Sequence, residues 1–139
     1  MTPAALLPHA GAMVLLDRVV AWNDTEAVCA TRAHLAPQNP LRHGGMLPAI
    51  CGMEIALQAA AVHGALRGDG SARRGYVAVL RDVTWSVEQL DDTSLGELRA
   101  SARLVSEEGD GVIYDLELNA EDGRKLVSGR AVIAWPKPA

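Results

Sequence analysis

The chain has 139 residues, a formal net charge of −4 and 49% hydrophobic residues. That length suits one domain, residues 1–139, with room for a real core, and the acidic balance argues against the clustered Lys and Arg of a nucleic-acid binder. Phenylalanine is absent, so alanine, valine and leucine have to fill the interior, while Cys29 and Cys51, without CxxC spacing, read as reduced thiols of a soluble, cytoplasmic protein.

No basic region followed by an apolar one opens the chain, so no secretory signal is expected. Residues 1–16, with Pro3, Pro8 and Gly11, predict a short helical or irregular lead-in whose leucines dock on the core. Residues 18–23 and 26–34, around Asp24-Thr25, read as a β-hairpin because side-chain character alternates with a period of two. Residues 35–45 hold Pro37, Pro40 and the Gly44-Gly45 pair, which excludes helix and strand. Residues 47–66 predict the central element, a helix apolar nearly all round, with Pro48 in its first turn; such a helix belongs inside a fold. It approaches the length of a membrane span but carries Glu54, Gln58 and His63. A polar, Gly-rich break over residues 67–75 precedes four strand-like runs, at 76–90, 95–106, 112–120 and 125–135, with Trp22, Trp85 and Trp135 expected as core or pocket walls. The order hairpin, helix, four-strand meander predicts an α+β fold whose antiparallel sheet wraps the helix.

Within that helix Glu54 and Gln58 share a face, being four residues apart. A buried Glu needs a partner or a task. Two readings stand: a salt-bridged structural carboxylate, or a carboxyl whose pKa is raised by desolvation so that it passes a proton near neutral pH. N–H groups at the helix start are suited to an oxyanion. Four histidines without HxH or HExxH spacing predict no metal site, and GxSxG, P-loop and GxGxxG patterns are absent.

Four segments carry a family resemblance: Leu6-Leu7-Pro8-His9 followed by MVLLDRV at residues 13–19; Asn39-Pro40-Leu41; Leu47-Pro48 ahead of Glu54, with Gln58 one turn later; and Gly75-Tyr76 through Asp82-Val83, with Leu95-Gly96-Glu97-Leu98 beyond. With them the chain resembles the hot-dog fold dehydratases that act on 3-hydroxyacyl groups held on acyl carrier protein, in a branch similar to those of aryl-polyene pathways. The resemblance implies a hot-dog domain that pairs edge to edge, as a homodimer or as a heterodimer with a second dehydratase. The implied reaction is loss of water from (3R)-3-hydroxyacyl thioesters to give trans-2-enoyl thioesters, in fatty-acid or polyene-type lipid biosynthesis. The acyl group would arrive on phosphopantetheine of a carrier protein or on coenzyme A, with no other cofactor. Glu54 would protonate the leaving hydroxyl, from the partner subunit if the family pattern holds. The family's catalytic His loop is shortened here, which leaves His43 as the imidazole for the C2 proton. His9, Gly45, Pro48, Ala49 and Gln58 would contact substrate, and Arg73-Arg74 are candidates for an acidic carrier protein. Two other functions fit the same residues: a hot-dog thioesterase, or a non-catalytic acyl-binding subunit paired with an active dehydratase.

Overall fold

A computed structural model describes residues 2–68 and 75–135; the Arg73-Arg74 pair lies outside them. The lead-in forms a one-turn helix, α1 (Pro3–Leu6), with Thr2 as N-cap and Pro at its start, where a missing N–H costs nothing. Leu6, Leu7, Leu15 and Leu16 are buried as expected. Strands β1 (Arg18–Trp22) and β2 (Glu26–Thr31) make the predicted hairpin. Its turn is held by Asn23, whose Oδ1 accepts the N–H groups of Thr25 (2.9 Å) and Glu26 (3.0 Å), the backbone mimicry that makes Asn a turn residue.

The remaining strands are β3 (Tyr76–Trp85), β4 (Leu98–Glu108), β5 (Gly111–Asn119) and β6 (Lys125–Ala134). Together the six form one antiparallel sheet in the order β1-β2-β4-β5-β6-β3. Only β4, β5 and β6 are a meander. The four-strand meander is corrected at β3, which pairs with β6 alone and makes the far edge. The physical reason is the helix: the chain leaves the β2 side, crosses the sheet as α2 (Gly52–Arg67) and emerges beside β6. Strand β3 also slips register twice, and Asp82 adopts φ 54°. Its alternation therefore does not translate into a buried face: Val77, Val79 and Leu80 stay exposed, and Trp85 is 56% exposed. Trp22, at 44%, is likewise not core.

The helix is tied down where it starts. Residues 86–97, returning from the edge strand to β4, run past it: the Ala49 N–H donates to the Glu88 carbonyl (2.9 Å) and the Leu90 N–H to the Leu47 carbonyl (2.8 Å). Pro48 is extended, preceding a 3₁₀ turn at Ala49–Cys51 rather than sitting inside α2. Small residues let the helix lie close to the sheet. Ala56, Ala59 and Ala60 are buried on it, in one core with Ala100, Ala102, Leu116 and Leu118 of the sheet. Gly52 lies against the sheet, and a Cβ there would sit 2.9 Å from both Leu118 and Val127 side chains. By length and composition this helix is apolar enough to cross a membrane, yet most of it is buried within the fold.

Two glycines of α2 therefore predict opposite outcomes. Gly52→Ala overpacks the helix–sheet contact and should lose about 1–3 kcal/mol. Gly64→Ala, where a Cβ meets nothing within 4 Å, should gain up to ~1 kcal/mol from helix propensity. Urea unfolding of the two variants measures both signs.

A second prediction comes from two buried imidazoles. His34 and His63 are fully enclosed, and burial, ahead of their neighbouring charges, holds both pKa values below the usual histidine range. The unfolded chain then takes up protons first, so stability is retained above the unfolded value of about 6.5 and falls as pH drops below it. The melting temperature should decline from pH 7 to pH 5, before most carboxylates titrate, and His63→Gln should flatten that decline.

Candidate active site

One face of α2 is left uncovered by its own sheet. Glu54, Leu57, Ala61 and Gly64 are only partly buried, whereas Met53, Ala56, Ala60 and His63 are enclosed. This face and the inner side of β5, β6 and the β3 edge bound a cavity of about 630 Å³. Leu57 and Ala61 wall it on the helix side, Val112, Tyr114, Ile133 and Trp135 on the strand side. The volume falls in the range of small-molecule pockets. From Glu54 to Arg67 the cavity follows the helix for about 20 Å at 1.5 Å per residue, so it is a channel rather than a bowl.

At one end of this channel Glu54 meets His9. The imidazole Nε2 lies 4.0 Å from the carboxylate Oε1, with the side chains 27% and 40% exposed. That separation is too long for a direct hydrogen bond. It leaves both groups able to reach neighbouring atoms of one ligand, each at about 3 Å. The other ring nitrogen of His9, Nδ1, is buried and has no hydrogen-bond partner among the described residues. The lead-in carrying His9 is strapped to the helix by Gln58. Its Oε1 accepts the Leu15 N–H (2.8 Å) and its Nε2 donates to the Met13 carbonyl (2.7 Å).

The expected site residues divide accordingly. Glu54, His9 and Gln58 line the channel; His43, Gly45, Pro48 and Ala49 do not. Gln58 reaches the channel wall, but its amide is committed to backbone, so it holds the His9 segment in place. His43 and Met46 exchange backbone hydrogen bonds of 2.7 and 3.1 Å across Gly44 (φ 59°) and Gly45 (φ 79°). This is a two-residue hairpin turn that needs positive φ at both central positions. The glycine pair thus serves a surface turn in the single chain, and it leaves His43 exposed. Ala49 is buried, and its N–H and that of Cys51 are taken by the Glu88 and Pro48 carbonyls. Those two helix-start donors are therefore unavailable to an oxyanion. The full enclosure expected of Glu54 is also absent in a single chain, because the helix face it occupies has no sheet over it. Among the described residues no group of His, Cys, Asp and Glu side chains converges to hold a metal ion.

Two polar clusters at the channel wall are not foreseen from the sequence. Tyr114 hydrogen-bonds His63 Nδ1 through its hydroxyl (2.7 Å), and His63 Nε2 meets the Asn23 carbonyl (3.0 Å). A carbonyl only accepts, so neutral His63 carries its proton on Nε2 and the Tyr114 O–H donates to Nδ1. Burial pushes the Tyr114 phenol up to about 12, which keeps it protonated. At the far end Arg67 forks onto Glu107 (3.0 and 3.3 Å) and reaches Asp24 (3.2 Å). These pairs join residues 40 or more apart in sequence, and no local spacing announces them.

No curated protein matches the sequence significantly. Among solved structures, the fold is shared with the dehydratase heterocomplex ApeI:P from Xenorhabdus doucetiae, at 21% identity and TM-score 0.84, covering 99% of this chain and 92% of that one. AziG from S. sahachiroi is similar at 14% identity and TM-score 0.68, with 96% and 99% covered. A mutant of the thioesterase PA1618 from Pseudomonas aeruginosa follows at 18% identity and TM-score 0.60, with 84% and 78% covered. The architecture is the hot-dog fold, a six-stranded antiparallel sheet with one long helix. The model of the ApeP-like family, described as ApeP dehydratase, matches residues 1–139. With its whole length inside that match, the chain belongs to the ApeP-like dehydratase family.

Proposed function

We propose that this protein dehydrates (3R)-3-hydroxyacyl thioesters to trans-2-enoyl thioesters, with Glu54 and His9 as the acid–base pair. The observation that carries the proposal is the 4.0 Å separation of His9 and Glu54 at the head of the channel. Family membership supports it. In this reading the acyl chain lies along α2 and the thioester end sits beside Glu54. His9 Nε2 takes a proton from C2, the electron pair becomes the C2–C3 double bond, and the C3–O bond breaks as Glu54 gives its proton to the departing hydroxyl. Water leaves, and proton return from His9 to Glu54 restores the starting state. The acyl group is delivered on phosphopantetheine of a carrier protein or on coenzyme A, in the cytoplasm, with no further cofactor.

A partner subunit completes the site in this proposal. Among the described residues, edge strand β3 leaves one side of its backbone unpaired, with Val77, Val79 and Leu80 exposed beside it. Ile50, one turn before Glu54, is also exposed. A second chain added along that edge buries this apolar surface and supplies the cover that Glu54 lacks. An unblocked edge of this kind is a template for pairing. The partner is a second copy or a second dehydratase-like chain, the latter suggested by the heterocomplex from Xenorhabdus doucetiae.

A second reading, thioester hydrolysis, is favoured by the thioesterases sharing the fold. Product analysis separates the two. Incubation of a 3-hydroxyacyl thioester should yield the enoyl thioester, whereas free acid would establish hydrolysis. Glu54→Gln and His9→Ala should each lower kcat/KM by about 10²–10⁴-fold, the usual scale of acid–base groups, while His43→Ala stays near the parent value. Full turnover in both channel variants would reassign the chemistry to the partner and make this chain an acyl-binding subunit.

A further inference from the structure

We infer that the Arg67–Glu107 ion pair is the distal stop of the acyl channel and sets the longest chain the site accepts, an inference that rests on the acyl-thioester reading above. The channel changes character along its length. Between its ends Leu57, Ala61, Val112 and Ile133 present hydrocarbon to a ligand. At the end opposite Glu54 the lining becomes charged, with Arg67 and Glu107 both in the wall. The guanidinium is fixed at three points: two nitrogens fork onto the Glu107 carboxylate at 3.0 and 3.3 Å, and Nε reaches Asp24 at 3.2 Å. Those anchors come from β4 and from the β1–β2 turn, while Arg67 itself closes the last turn of α2. The cross-brace therefore spans three elements at the channel end. Arg67 is also the most enclosed member of the group, its side chain 24% exposed against 52% for Glu107 and 86% for Asp24.

The consequence for an acyl chain is a change of slope. Each methylene buried along the hydrocarbon stretch should tighten binding about fourfold. A methylene that reaches the brace gains no such burial, because it must either stop against a hydrated ion pair or part a forked, charge-assisted contact. Affinity should rise with chain length and then break at a length fixed by the distance from Glu54 to Arg67. Replacing Arg67 by a hydrocarbon side chain converts the stop into further apolar wall.

The test uses the full-length protein with any partner that co-purifies. Calorimetry measures its affinity for saturated acyl-coenzyme A thioesters that lengthen by two carbons at a time, and turnover of the matching 3-hydroxyacyl thioesters is recorded in parallel. In the parent the break should appear in both series. In Arg67→Leu it should move to chains at least two carbons longer, raising the long-to-short affinity ratio about fifteenfold for two extra buried methylenes. Glu107→Leu should move it in the same direction and serves if the first variant unfolds. A break at the parent length in both variants overturns the stop while leaving the acyl reading intact. Absence of saturable binding to any chain length in the parent overturns the acyl reading and the stop together.

Discussion

The structure depends on how closely an alanine-rich helix can lie on its sheet. Gly52 permits contact with Leu118 and Val127 at a distance no side chain tolerates, and Ala56, Ala59 and Ala60 continue that seam without a large side chain. In a chain without phenylalanine, such close packing supplies what bulky core residues supply elsewhere. It also decides which face of the helix remains open. With one side pressed to β4 and β5, the stripe through Glu54, Leu57, Ala61 and Gly64 is turned toward the β3 edge, and the space beside it is the channel. Fold and site follow from one contact.

The channel is polar at both ends and apolar between them. At its head, His9 is brought to Glu54 by a lead-in that has little structure of its own. A four-residue helix and buried leucines dock it, and the two ends of the Gln58 amide fix the backbone at Met13 and Leu15. Gln58, which also lines the channel, thereby holds the His9 segment against the helix. Loop 35–47 is organised separately. Arg42 donates to the Ala36 and Gly45 carbonyls and pairs with Asp91, whose Oδ1 accepts the Leu47 N–H. This brace settles His43 in a surface turn.

Much of this was legible in the sequence. The hairpin, the central helix and three meander strands follow from periodicity, and the place of Glu54 on that helix follows from counting. Side-chain alternation could not reveal the destination of β3. Its valines alternate like those of a core strand, but edge position and two register slips decide their exposure. Helical spacing likewise identified an apolar cylinder without saying which side the sheet would leave bare. The pairing of His9 with Glu54 was hidden because it depends on chain entry 45 residues upstream, fixed by Gln58 on Met13. The Tyr114–His63 and Arg67–Glu107 pairs were hidden for the same reason: each joins elements that meet only after the sheet is assembled.

The central claim is that His9, rather than His43, shares a ligand with Glu54. It is tested most directly by ¹⁵N-imidazole NMR of the protein titrated with a non-reactive 3-hydroxyacyl thioester analogue. Saturable shifts of the His9 ring nitrogens are expected, abolished in Glu54→Gln, with the His43 resonances unmoved. Shifts confined to His43, with His9 silent, would contradict it.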